Sequence, residues 1–163
     1  NFNKLIQSLN TITDFYNLPI IFPLHPRTKK IMDKNKPKLN NLIKLIDPLG
    51  FIDYNQLQIN SNVVLSDSGT ISEESSILNF RAINIRETHE RHEAMEESSV
   101  IMTGLDSTRI IQGIESLRDQ KILNERNIYQ VPDYKVPNVS IKIERIILSY
   151  INYVNRVVWQ KES

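Results

Sequence analysis

Residues 63–74 read Val63-Val64-Leu65-Ser66-Asp67-Ser68-Gly69-Thr70-Ile71-Ser72-Glu73-Glu74. Val63, Val64 and Leu65 form a short apolar, β-branched run of the kind buried in a parallel sheet, and Asp67-Ser68-Gly69 is a turn cluster at its carboxyl end. A helix is predicted to start there. Thr70-Ile71-Ser72-Glu73 has the form of a capping box, in which the Thr70 hydroxyl and the Glu73 carboxylate each accept from a backbone N–H. Ile71, Ser75 and Leu78 then recur at helical spacing. A helix amino end beside Gly69, flanked by the Ser68 and Thr70 hydroxyls, is an anion site suited to a phosphate. Glu74 offers a carboxylate that can accept from ribose hydroxyls. A second strand is predicted over 82–85, followed by Arg86-Glu87-Thr88-His89-Glu90-Arg91-His92-Glu93. Arg86 and Arg91 then fall at the carboxyl edge of the sheet, where open α/β sheets bind ligands. Two guanidinium groups beside a helix amino end suit a diphosphate. Strand-turn-helix units with a cap also occur in α/β proteins that bind no anion, so the pattern alone leaves that alternative open.

At 163 residues with 40% hydrophobic content, the chain is expected to form one domain with its own core. Its net charge is +1, with both signs interspersed, so neither nucleic acid nor an anionic membrane surface is an expected partner. Cysteine is absent, which excludes disulfides, thiol catalysis and cysteine metal ligands. That composition fits a reducing compartment, and a cytoplasmic location is expected. No apolar run approaches the roughly 20 residues of a membrane span, and no signal-peptide pattern is present. The first residue is Asn1, and 1–16 already reads as a helix with Leu5, Ile6, Leu9, Ile12 and Phe15 on one face. The chain therefore reads as part of something longer.

Leu18 to Phe22 is a further predicted strand, ended by Pro23, with His25 in the loop at its carboxyl end and a helix begun by Pro26. Leu42 to Ile46 is another, leading through Asp47-Pro48-Leu49-Gly50 into a short helix that carries Tyr54. Tyr54 can be read as a half-buried core aromatic or as a ring that stacks on a ligand. After the central stretch come a strand at 100–102 and a helix capped by Asp106 or Ser107, with Ile110, Ile111 and Ile114 inward. Residues 130–140, carrying Pro132 and Pro137, are expected to be loop, and 141–159 a last helix with a broad apolar stripe. Five strand-helix alternations predict an α/β fold, a doubly wound, Rossmann-like parallel sheet.

Three other chemistries are set aside. The run from Val63 to Thr70 is similar to the active-site strand of aspartic proteases, but helical periodicity on both sides of Asp67 contradicts that nearly all-β fold. His89-Glu90-Arg91-His92-Glu93 does not place two imidazoles at i and i+4, so no metal site is expected. Ser68 lies outside any Gly-x-Ser-x-Gly elbow.

Asp67 to Glu74 and Arg86 to Glu93 resemble, in order, the signature of the non-hydrolysing UDP-N-acetylglucosamine 2-epimerases: Asp-Ser-Gly-Gly/Thr, two residues, Glu-Glu, then Arg-x-x-x-Glu-Arg-Pro-Glu. Thr70, the run Glu73 to Phe80, and the tail from Val136 to Trp159 resemble most the capsule and O-antigen branch that forms UDP-N-acetyl-L-fucosamine. The departure is His92, where the family has proline. The resemblance implies a carboxyl-terminal half, residues 1–163, of a two-domain glycosyltransferase-B enzyme, with 141–163 a crossover helix that braces the other domain. It implies UDP bound by Leu49 through its backbone at uracil, Tyr54 stacked on the base, Glu74 at the ribose, and Ser68, Gly69, Thr70 and Arg91 at the diphosphate, with His25 lining the cleft. It further implies a UDP-2-acetamido sugar as substrate, a homodimer, no cofactor or metal, and acid-base residues in the other half. A glycosyltransferase domain of the same architecture, or a UDP-sugar-binding module without chemistry, are the alternatives.

Overall fold

The computed structural model describes residues 2–161. These fall into two compact units, Asn1–Val131 and Pro132–Ser163. The first unit alternates as expected: α1 (Phe2–Tyr16), β1 (Ile20–Pro23), α2 (Pro26–Asn35), β2 (Ile43–Ile46), α3 (Phe51–Ile59), β3 (Val64–Ser66), α4 (Ile71–Leu78), β4 (Ala82–Asn84), α5 (His92–Glu96), β5 (Ile101–Met102) and α6 (Ser107–Ser116). Every strand pairing is parallel, and the ladders form two groups, β1 with β2 and β3-β4-β5. The α/β, Rossmann-like class read from the alternation is the fold adopted.

β4 lies between β3 and β5, with Ala82 opposite Val64 and Ile83 opposite Ile101, and all three of its residues are buried. A strand covered on both faces needs an uninterrupted run that can be buried. Ile71, Phe80, Ala82 and Val100 form one core cluster, with Ile59, Val64, Leu78 and Met95 packed on it. Burying a side chain the size of Phe80 or Ile71 contributes about 1.5–3 kcal/mol. A second cluster joins Ile6, Leu24 and Met32 to Phe2, Phe22 and Leu39.

Helix α1 departs from the apolar-face reading at one end. Phe15 is exposed, while Ser8 and Thr13 are buried. The Ser8 hydroxyl donates to Leu105 O at 2.5 Å, Thr13 Oγ1 donates to Leu9 O at 2.7 Å, and the Tyr16 hydroxyl donates to Glu115 Oε1 on α6 at 2.8 Å. Small hydroxyl residues satisfied in this way let the helix approach closely without a buried polar cost. Asp106 is the cap of α6, its Oδ1 accepting from the Arg109 N–H at 2.9 Å.

The buried face of α4 is Ile71 followed by Ser72, Ser75 and Ser76. Ser76 Oγ accepts from the Val131 N–H at 2.9 Å, and the Arg126 guanidinium donates to the Ser76 and Ile77 carbonyls at 2.8 Å each. The helix ends at Asn79, left-handed at φ 56°.

The second unit holds α7 (Pro132–Lys135), within the segment expected to be loop, and α8 (Val139–Tyr153), which runs into a π turn over Val154–Val158. Proline at the first position of α7 is compatible with a helix start, which a reading of Pro132 as a breaker overlooks. Ile143, Ile146, Ile147, Tyr150 and Ile151 form an apolar stripe on α8.

Asn79 supports a stability prediction. Its Nδ2 donates to Leu123 O at 2.9 Å and Glu125 O at 2.6 Å, and the residue is 2% exposed. Asn79→Ala loses both bonds and meets left-handed strain, for about 3 kcal/mol in urea unfolding. Asn79→Gly loses the bonds without the strain and should cost about 1 kcal/mol less. Equal costs would show that the backbone conformation is not a source of strain.

Candidate functional site

The carboxyl end of β3 delivers the chain into the turn 67–70 and then into α4. Ser66 Oγ accepts from the Ser68 N–H at 3.1 Å, and Ser68 Oγ lies 2.9 Å from Thr70 Oγ1 while accepting from the Thr70 N–H at 3.3 Å. Two hydroxyls are thus held together at the start of the helix. A Cβ placed on Gly69 would meet nothing within 4 Å, so open space lies against the backbone there. The first turn of a helix has N–H groups without intrahelical partners and a positive dipole end, which is favourable ground for an anion.

The expected capping box does not form. Thr70 is the residue before α4, with φ −68° and ψ −12°, and its side chain makes no cap bond. Its αR backbone differs from the extended geometry usual for a capping residue. Glu73 does not reach back either, because its Oε1 accepts from Arg91 Nε at 2.7 Å. A charge-assisted bond to a guanidinium outcompetes a bond to one backbone N–H.

Arg91 precedes α5, which begins at His92. The first helical position tolerates proline because its N–H has no intrahelical partner in any case, so histidine there leaves the helix start where proline would put it. The His92 ring meets His89 edge to face at 5.1 Å between centroids. Arg86 pairs with Glu90 at 3.2 Å, and its backbone N–H donates to Asn84 Oδ1 at 2.9 Å. Arg91 is therefore tied to the amino end of α4, and Arg86 to its own loop.

Glu74, half-buried, accepts at Oε2 from Gln58 Nε2 at 2.6 Å. Tyr54 is one turn before Gln58 on α3 and half-buried. Burial pushes the Tyr54 hydroxyl above its ordinary pKa, the charges of Glu74 and Asp67 push it the same way, and a hydrogen bond with Gln58 opposes them. Helices α3 and α4 thus bring Tyr54, Gln58 and Glu74 together beside the turn that carries Asp67. Sequence reading assigns Gln58 no role and takes Glu73 only as the capping-box carboxylate, not as the partner of Arg91. Gln58 follows Tyr54 by four residues, a spacing that places two side chains on one helix face.

His25 and Leu49 leave the ends of the other ladder. Leu24 N donates to Ile46 O at 2.9 Å, which aligns the ends of β1 and β2. His25 is exposed and caps α2, Nδ1 accepting from the Arg27 N–H at 3.3 Å. Leu49 is exposed in the loop before α3. Beside it, Lys29 and Asp47 pair at 2.8 Å, which holds the lysine above its usual pKa and the carboxylate below its own. Among the described residues no group of three or more His, Asp or Glu could hold a metal ion, and no helix is long and apolar enough to cross a membrane.

The family model described as UDP-N-acetylglucosamine 2-epimerase matches residues 1–148. The chain is similar to the UDP-N-acetylglucosamine 2-epimerase of Methanococcus maripaludis, 38% identical over 119 residues, which are 71% of this chain and 32% of that protein. It is similar to the solved structure of UDP-N-acetylglucosamine 2-epimerase from Rickettsia bellii, with a TM-score of 0.85 and 43% identity over 99% of this chain and 44% of that one. It is also similar to the Methanocaldococcus jannaschii UDP-GlcNAc 2-epimerase, solved in complex with UDP-GlcNAc and UDP. There the TM-score is 0.78 and the identity 30%, covering 90% of this chain and 40% of that one. The chain spans about a third of the length of the curated relatives it matches.

The Glu73–Arg91 pair is part-exposed, at 28% and 38% of the two side chains. A double-mutant cycle with Glu73→Gln and Arg91→Ala, followed by urea unfolding, should give a coupling energy of about 1 kcal/mol or less. A coupling near 3 kcal/mol would mark the pair as a structural strut of the α4–α5 contact.

Proposed function

Because the chain belongs to the UDP-N-acetylglucosamine 2-epimerase family, whose model spans residues 1–148 of it, we propose that it is the UDP-holding half of a nucleotide-sugar C2 epimerase. The observation that carries this reading is the convergence at one sheet edge of the Ser68–Thr70 turn, the amino end of α4 and the Arg91 guanidinium bound to Glu73. The substrate is a UDP-linked 2-acetamido sugar. The base is met by Leu49 and stacks on Tyr54, the ribose hydroxyls donate to Glu74, and the diphosphate lies against Ser68, Gly69, Thr70 and Arg91. His25 lines the same cleft.

In the reaction, a base removes the C2 proton and the C1–O bond to UDP breaks, leaving a 2-acetamidoglycal. UDP then adds back at C1 while a proton returns to the opposite face of C2. Negative charge builds on the diphosphate as it leaves, and groups already aimed at it lower that barrier without reorganising. A helix dipole, paired hydroxyls and a guanidinium are such groups. The Glu73 carboxylate restricts Arg91 before ligand arrives, and the planar guanidinium suits phosphate oxygens. The acid-base residues that handle the C2 proton belong to another part of a longer protein, of which residues 1–163 are the carboxyl-terminal domain in a glycosyltransferase-B arrangement, with 141–163 crossing back to the amino-terminal domain. Thr70, the Glu73–Phe80 run and the Val136–Trp159 tail favour the branch that makes UDP-N-acetyl-L-fucosamine for capsule or O-antigen, in the cytoplasm and as a homodimer.

Calorimetric titration tests the site. The 163-residue chain should bind UDP, and Arg91→Ala should weaken UDP about tenfold or more while leaving uridine nearly unchanged, because a charge-assisted bond of about 1.5–3 kcal/mol exists only when phosphate is present. Equal losses for UDP and uridine, or no loss in either, would remove Arg91 from the diphosphate. In a turnover assay this chain alone should not interconvert C2 epimers; measurable interconversion would place the acid-base residues within it.

A further inference from the structure

Gln58 has no role in the reading above, yet its setting is specific. It is 2% exposed near the end of α3, and its Nε2 donates to Glu74 Oε2 at 2.6 Å. Its Oε1 is buried without a hydrogen-bond partner. An apolar residue of similar size would avoid that cost, so the amide is explained by its donor and not by packing. A carboxylate is free to turn about its last bond and has roughly four lone-pair sites. Taking one of them on Oε2 fixes the plane of the Glu74 carboxylate. Tyr54, four residues earlier on α3, brings its hydroxyl into the same group, where burial and the Glu74 charge push its pKa up and a hydrogen bond with Gln58 opposes them. The acid that meets the ligand thus comes from α4, while the amide that orients it and the ring beside it come from α3.

We propose that Gln58 is a positioning residue that fixes the Glu74 carboxylate to accept from both hydroxyls of a cis-diol, and so makes the site prefer a ribonucleotide to its 2′-deoxy counterpart. The proposal rests on the UDP reading of this same site. A carboxylate held in one plane gains most from two donors at fixed separation, because little freedom is lost when the second bond forms. A carboxylate free to rotate gains less from the second hydroxyl, so loosening Glu74 should erode discrimination more than it erodes binding of the deoxy ligand.

The experiment is calorimetric titration of the 163-residue chain with UDP and with 2′-deoxy-UDP, in wild type, Gln58→Met, Glu74→Ala and the double variant, with thermal unfolding of each. Wild type should prefer UDP by about tenfold. Gln58→Met, similar in volume and without the amide, should lose about fivefold in UDP affinity and bring the preference near twofold. Glu74→Ala should abolish the preference, and adding Gln58→Met to it should change nothing further. Gln58→Glu is the second variant, since it keeps the shape and donates only when protonated: its preference should survive near about pH 5 and vanish by about pH 8. The β-phosphate titrates alike in both ligands, so their ratio isolates the side chains. A lower melting temperature in Gln58→Met with an unchanged preference would overturn the proposal, as would a wild-type chain that binds both ligands equally or a Gln58→Glu preference independent of pH. No UDP binding by the wild-type chain would instead overturn the UDP reading on which the proposal stands.

Discussion

β4 is buried along its whole length, and it is paired in parallel on both sides. Parallel neighbours cannot be joined by a tight hairpin, so the chain must travel back across the sheet between one strand and the next. The exits from β3 and β4 therefore open on the same edge. That requirement alone places the Ser68–Thr70 turn beside the segment carrying Arg86 and Arg91, although Ser68 and Arg91 are far apart in the sequence. The site is a consequence of how the core strand is covered. Conserving the burial of β4 while moving either turn to the opposite edge would require an antiparallel pairing that Ala82 to Asn84 do not make.

The electrostatics of that edge depend on two adjacent carboxylates. Glu73 and Glu74 are both in the first turn of α4, where the helix dipole stabilises negative charge by about 0.3–1 kcal/mol each. The same preference would make them competitors of any bound anion. Successive residues on a helix point about 100° apart, and here they diverge onto different elements: Glu73 onto Arg91, Glu74 onto Gln58. Glu73 is balanced by a full positive charge and Glu74 by an amide dipole. The turn nearest the glycine is thus left to hydroxyl and backbone donors, with the negative charge drawn to its flanks.

Much of this was readable from residue patterns, and the failures share a cause. The alternation of strands and helices, the turn after β3 and the Asp106 cap all depend on neighbours within a few residues, where spacing carries the information. The capping box at Thr70 failed because the partner that claims Glu73 is 18 residues further along. Periodicity places Phe15 on the buried face, but the bonds from α1 are made by Ser8, to Leu105 in the loop before α6, and by Tyr16, to Glu115 on α6, partners about a hundred residues away. Gln58 gives no signal for a different reason: a glutamine near a helix end is usually solvated, whereas here it is buried with its amide against Glu74 of α4. Hydrogen-bond competition across the fold is not encoded in local periodicity.

His25 shows how a structural bond can set chemical character. Its Nδ1 accepts from the Arg27 N–H at the start of α2, so in the neutral ring the hydrogen is carried by Nε2. A ring used as a cap is also held in orientation, because turning it would release the Arg27 N–H. Whatever oxygen meets the outward nitrogen therefore meets a donor. The cap at the end of β1 thus leaves Nε2 of the neutral ring as the outward-facing hydrogen-bond donor.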